Sequence, residues 1–296
     1  MQMNRRLLTV GAAFASLIPH GAQAQQAPAK PRYSYADIAD MALAAPIAAG
    51  AQIRSAKRLK GDLAPGLPAG QARFLVEANV QTLIRGAQGL PARVRYLVDL
   101  PLDAANRPPK LSKWRVLLLA STVPGKPGEL RLVSPYAQLG WTPEQEARLR
   151  AILTEAVNPD APPAVTGVGN AFHVTGSLPG ESETQIFLTT SDRRPISLAV
   201  LRRPGEAPRW SVALGEMVDD SAAPPSAGTL LWYRLACFLP PALPDSSVDQ
   251  MPAAEAEAAR ADYRLVLDGL GPCERTITQG SGQKEAISTP TPAQSG

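Results

Sequence analysis

Residues 73–85 read Arg73-Phe74-Leu75-Val76-Glu77-Ala78-Asn79-Val80-Gln81-Thr82-Leu83-Ile84-Arg85. Phe74, Val76, Ala78, Val80, Thr82 and Ile84 recur at every second position, while Arg73, Glu77, Asn79, Gln81 and Arg85 take alternate ones. Side chains on an extended chain point to opposite faces in turn, so this period predicts a strand with one face in a core and one in water. The same alternation runs through Ile47, Ala49, Ala51 and Ile53, through Val94, Tyr96, Val98 and Leu100, and through Trp114, Val116, Leu118 and Ala120. A fifth strand is expected near Leu130–Val133. The links Leu63–Gly70, Gly86–Pro91, Asp103–Lys110 and Pro124–Gly128 are rich in the Gly and Pro that make turns.

Five such strands predict a small antiparallel barrel or sandwich over residues 33–141, similar to an OB-type barrel. A short helix is expected ahead of it, from Tyr35 to Ala44, ending before Pro46. The barrel is followed by a helix over 142–158 with clear punctuation. Thr142 is a cap, Pro143 suits the first position, Gln145 completes a T-x-x-Q capping box, and Asn158-Pro159 ends it. Leu149, Ile152, Leu153 and Ala156 share one face, so this connecting helix is amphipathic.

The run Pro159-Asp160-Ala161-Pro162-Pro163 interrupts all periodicity and reads as a linker. A second β-rich unit, residues 164–274, is expected to hold strands at Val165–Thr175, Thr184–Thr190, Ile196–Arg203, Arg209–Val218 and Leu230–Leu239. A final helix over Ala253–Leu270 aligns Ala259, Tyr263, Val266 and Leu270. It delivers Cys273 toward Cys237, the only other cysteine, and a bond between them would close a long loop. Residues 275–296 are rich in Ser, Thr, Gln, Pro and Gly with few large apolar groups and are expected to form a disordered tail. The fold class is therefore α+β, mainly β: two small antiparallel units joined by an amphipathic helix, with a C-terminal helix tied on by a disulfide.

Residues 1–24 carry Arg5 and Arg6, an apolar run from Leu7 to Ile18, and Ala22-Gln23-Ala24, the order of a cleavable secretory signal. Cleavage is expected between Ala24 and Gln25, leaving a flexible leader at 25–32. Asn4-Arg5-Arg6-Leu7-Leu8 loosely resembles a twin-arginine signal, so both export routes stay open. The mature chain has no apolar run long enough to span a membrane and is expected to be soluble in an oxidising compartment, most simply the periplasm.

The chain of 296 residues has net charge +4, which conceals an asymmetry. Residues 33–141 hold 14 Lys and Arg against 7 Asp and Glu; from residue 142 onward the counts are 12 and 19. Opposite signs allow the units to attract each other, or allow the basic unit to face an anionic partner. Arg54, Lys57, Arg58 and Lys60 are the densest basic group and the candidate binding residues. The partner classes that suit them are an envelope protein or an anionic envelope polymer. Nucleic acid is not expected in this compartment, and no aromatic residues interleave the basic stretch.

Catalytic signatures are sparse. The mature chain keeps one histidine, His173, with Glu181, Ser182 and Glu183 nearby in sequence, the residue types of a nucleophile, base and orienter. No G-x-S-x-G elbow, H-E-x-x-H, P-loop or dinucleotide fingerprint occurs, so neither metal nor cofactor is expected. Thr184–Thr190 with Phe172-His173 upstream looks locally like a strand of the cyclophilin-type prolyl isomerases. That family's active-site segments are not found, and the likeness is one of strand composition. The sequence thus points to a non-catalytic binding or scaffold protein of the cell envelope, with a periplasmic hydrolase or isomerase built on the His173 segment as the alternative.

Overall fold

A computed structural model describes residues 33–215 and 222–277. The expected signal peptide, its Ala24–Gln25 cleavage point, the leader, and the tail beyond Ile277 lie outside these described residues, as do 216–221. The described residues belong to a single compact unit.

Helix α1, Tyr35–Ala44, starts at Ser34, whose hydroxyl accepts from the Asp37 amide while the Asp37 carboxylate accepts from the Ser34 amide. Strands β1 (Ile47–Leu59), β2 (Gln71–Arg85), β3 (Arg93–Pro101), β4 (Arg115–Val123) and β5 (Lys126–Leu132) follow, then a short β6 (Gln138–Gly140). Their hydrogen-bonded order is β1-β2-β3-β5-β4, and β4 returns to β1 to close a five-stranded barrel. Neighbouring strands of a ring with an odd number of members cannot all be antiparallel. The parallel pair falls at β3 and β5. Strand β6 continues the edge of β4 beyond β5, pairing Gln138–Gly140 with Val116–Leu118.

Inside the barrel lie Phe74, Val76, Val94, Tyr96, Val98, Val116, Leu118 and Leu130, with Leu111 from the β3–β4 link. The expected alternation is observed on β2 and β3. Strand β4 is buried on both faces, because Leu117 and Leu119 point outward into a second core. That core is helical: Ile38, Met41 and Ala42 of α1 meet Leu149, Ile152 and Leu153 of α2, Pro143–Ala156. Each of those three α2 side chains contributes about 1.5–3 kcal/mol by burial. Thr142 caps α2 by accepting from the Gln145 amide, but Gln145 Oε1 is buried without a partner, so the reciprocal half of the box is not formed.

Strands β7 (Val165–Thr175), β8 (Ser182–Thr190), β9 (Ile196–Arg202) and β10 (Arg209–Ala213) form an antiparallel meander, order β10-β9-β8-β7. Helix α4, Ala253–Leu270, covers it with Ala259, Tyr263, Val266 and Leu270 against Ile186, Leu198 and Val200. Cys237 and Cys273 are bonded, as expected.

Two expectations require correction. Leu230–Leu239 is not a strand: helix α3 spans Leu230–Ala236, with the Thr229 hydroxyl accepting from the Trp232 amide. Leu230 and Tyr233, three residues apart, enter the helical core, and Leu235 enters the core under the second sheet. Trp232 bridges both, its indole donating to the Leu270 carbonyl at 2.9 Å. The start of the expected tail is also ordered. The Thr276 and Ile277 amides and the Thr276 hydroxyl donate to Asp37, and Arg275 pairs with Asp40 at 2.7 Å. Polar contacts with two acids of α1 hold this segment, and Ile277 packs against the helical core.

Candidate functional site

The join between the barrel and the second sheet is chiefly apolar, through α1, α2 and α3. Among the described residues the one ion pair across it, Arg275 with Asp40, takes its cation from the acidic half. The positive excess of the barrel half therefore remains on the barrel.

Strand register arranges that charge. On the outer surface Lys57 stands opposite Leu75 and Leu75 opposite Leu97; this row is flanked on one side by Leu59, Arg73 and Asp99 and on the other by Ser55, Glu77, Arg95 and Glu129. Leu75 and Leu97 are 36% and 49% exposed, an apolar centre framed by charges. Arg73 donates through Nε and NH2 to both oxygens of Asp99 at 2.7 Å, and through NH1 to the Pro65 carbonyl. Arg95 reaches Glu129 at 3.1 Å through one nitrogen only. Arg131 is exposed and has no partner among the described residues.

A groove of about 650 Å³ opens between β3 and β5 on this surface. Leu75, Leu97, Val98, Leu132 and Val133 give it apolar walls, and Arg73, Arg95 and Arg131 line it together with the carboxylates Asp99 and Glu129. Below it the buried Tyr96 hydroxyl donates to Gln138 Oε1 at 2.7 Å, which supplies the partner that a buried phenol requires.

Arg54, Lys57, Arg58 and Lys60 are all exposed, on or just past the distal half of β1, and none has an ion-pair partner among the described residues. The register shift between Ile53 and Ser55 changes the alternation there. Lys57 joins the outer row with Leu75, while Arg58 lies opposite Phe74 at the barrel's end.

The His173 segment assembles differently from its sequence neighbourhood. His173 on β7 pairs with Thr184 on β8, and both face α4. His173 Nδ1 lies 2.8 Å from Thr184 Oγ1, and Thr184 donates to Asp262 Oδ2. Arg202 donates to Asp262 Oδ1 from Nε at 2.8 Å. The single Thr184 proton is committed to the carboxylate, so Nδ1 of His173 must carry a hydrogen and donate. Asp262 and Thr184 are 1% and 0% exposed. The chain of contacts runs carboxylate, hydroxyl, imidazole, whereas a nucleophile relay needs the imidazole in the middle and an accessible hydroxyl.

Glu181, Ser182 and Glu183 do not join this network. Glu181 accepts from the Leu178 amide at the turn, Glu183 accepts from Gln185 Nε2 on the other face of β8, and Ser182 sits opposite Thr175 at the strand start. Asp262 and Arg202, which complete the network, lie far away in sequence. The groove was also missed, although it left a readable signal: Leu75 and Leu97 occupy the polar phase of their strands.

Comparison of the chain with protein-family profiles, with characterised proteins and with solved structures finds no match.

Proposed function

We propose that this is a non-catalytic binding or scaffold protein of the bacterial cell envelope, which holds an anionic partner, an envelope protein or an anionic polymer, on the outer face of its barrel. The observation that carries the reading is the set of exposed cations Arg54, Lys57, Arg58 and Lys60 along β1, without ion-pair partners among the described residues, of which Lys57 stands in the same outer row as Leu75 and Leu97. Apolar area rimmed by charge is the ordinary composition of an interaction surface. The closed order β1-β2-β3-β5-β4 supports the reading of an OB-like barrel, and OB-type barrels use strands 2 and 3 with adjoining loops to hold extended ligands. A periplasmic setting is supported by the signal-like order of residues 1–24 and by the Cys237–Cys273 bond.

The test is retention of the protein on immobilised polyphosphate, a plain polyanion, across a salt gradient. Lys57→Glu with Arg58→Glu should elute at clearly lower salt than the parent, and His173→Ala should elute with the parent. Co-elution of the charge-reversed protein with the parent would remove the barrel face from the function.

A further inference from the structure

Strands β3 and β5 form the weak seam of the barrel. They pair over two positions, Arg95 with Glu129 and Tyr96 with Leu130, and the ladder stops there although β3 runs on to Pro101 and β5 to Leu132. On its other side β3 is paired to β2 throughout. The Tyr96–Leu130 pairing engages the Leu97 N–H; beyond it the groups of β3 that face β5, the Leu97 carbonyl, the Asp99 N–H and carbonyl and the Pro101 carbonyl, have no ladder partner among the described residues. The wedge between the diverging strands is the groove already described.

An open strand edge presents unpaired ladder groups that an incoming extended chain can take up. Side chains of such a chain alternate between two faces. One set would lie toward Val98, Leu130 and Leu132, and the other would project outward near Arg95 and Arg131. The rim selects the second set. Arg73 has spent its fork on Asp99, whereas Arg95 uses one nitrogen and Arg131 none, so the unspent donors call for carboxylates.

We infer that the groove takes an extended segment of a partner protein, in which apolar and acidic residues alternate, as an added strand along Leu97–Pro101. The inference rests on the reading that the barrel face binds an anionic partner, and it names that partner's chemistry. A glycan or polyphosphate can meet the guanidinium groups but lacks the regular amides and carbonyls that complete a strand ladder.

The experiment uses the full chain with three probes: a capped (Val-Glu)4 peptide, a capped (Val-Lys)4 peptide and polyphosphate. Peptide binding is read by fluorescence anisotropy, and strand addition by hydrogen exchange of the groove-facing amide of Asp99. The acidic peptide should bind and slow that amide, and both Arg131→Glu and the change to the basic peptide should weaken binding by about tenfold or more. Arg131 is exposed, so its reversal leaves the fold intact, which circular dichroism verifies. Binding without slowed exchange, or unchanged affinity in Arg131→Glu, overturns the strand addition. If polyphosphate is retained in a manner sensitive to Lys57 and Arg58 while the acidic peptide does not bind, this inference fails and the broader reading stands; if neither binds, both fall.

Discussion

Arg202 on β9 donates from Nε to the Asp262 carboxylate on α4 at 2.8 Å, joining the second sheet to the helix that covers it. Asp262 is 1% exposed, and Thr184 donates to its other oxygen. Replacing Asp262 by Ala leaves the buried Thr184 hydroxyl and the Arg202 guanidinium without their acceptor. Arg202 is partly exposed and can turn to water, which places the cost at the low end of a broken buried pair, about 3 kcal/mol. Urea denaturation of Asp262→Ala measures it, and a midpoint equal to the parent's would show that the network contributes nothing to stability.

The Cys237–Cys273 bond spans 36 residues and fixes the end of α4 to the end of α3. In the chain-entropy account, closing a loop of this length stabilises the folded state by about 4 kcal/mol. Cys237→Ser with Cys273→Ser should lose most of that and should speed amide exchange at Thr276 and Ile277, since Cys273 leads into the strap Arg275–Ile277 that lies on α1. Protein purified from an oxidising compartment should react with a thiol reagent only after reduction.

Burial of the Asp37 carboxyl opposes its ionisation, but hydrogen bonds from the Thr276 hydroxyl, from the Ser34 and Thr276 amides and from the Ser34 hydroxyl outweigh this and hold it below the usual carboxyl range. A group whose pKa is depressed on folding adds stability above its unfolded value and loses it as pH falls through the lower folded value. The strap at Thr276 and Ile277 should therefore be fully held above the ordinary value of 3.8 and should loosen on acidification below it. Exchange of those amides measured down to about pH 2 follows the release. In Asp37→Ala the strap amides should exchange fast at every pH, and pH-dependent protection surviving in that variant would assign the effect to another group.

Gly269 lies in the last turn of α4, where a Cβ would run into Trp210 Nε1 and come within 2.9 Å of its Cε2. Two effects oppose each other in Gly269→Ala. Helix propensity favours Ala by about 1 kcal/mol, while forcing the indole away costs typically 1–3 kcal/mol. Packing should win, giving a lower thermal midpoint together with a shift in tryptophan fluorescence. A raised midpoint would mean that Trp210 moves freely.

The regular elements were legible where one local rule decided them. Period-two alternation located β2 and β3, and the bounds of α1 and α4 agree with the sequence reading because Ser34, Pro46 and Pro252 delimit them. Helix α3 was misread because Leu230, Leu231, Trp232 and Tyr233 are apolar and aromatic without a break, a pattern shared by buried strands and short buried helices. Thr229 as a cap was the local signal available. Of the candidate site, the cationic residues of β1 were legible because their exposure follows from their charge, but Arg131, Arg95 and the groove were not.

By itself the sequence determined a mainly β chain, a basic first half and acidic second half, a capped α2 and a cysteine pair able to bond, because each depends on composition or on neighbours within a few residues. Only the tertiary structure decided that β3 and β5 run parallel and then part, that His173 meets Asp262 through Thr184, and that α1 holds the strap at Arg275–Ile277. Each of these joins residues that chain order does not make neighbours. Their pairing is set by barrel closure and helix packing, in which an energy shared over many side chains selects contacts that no local pattern encodes.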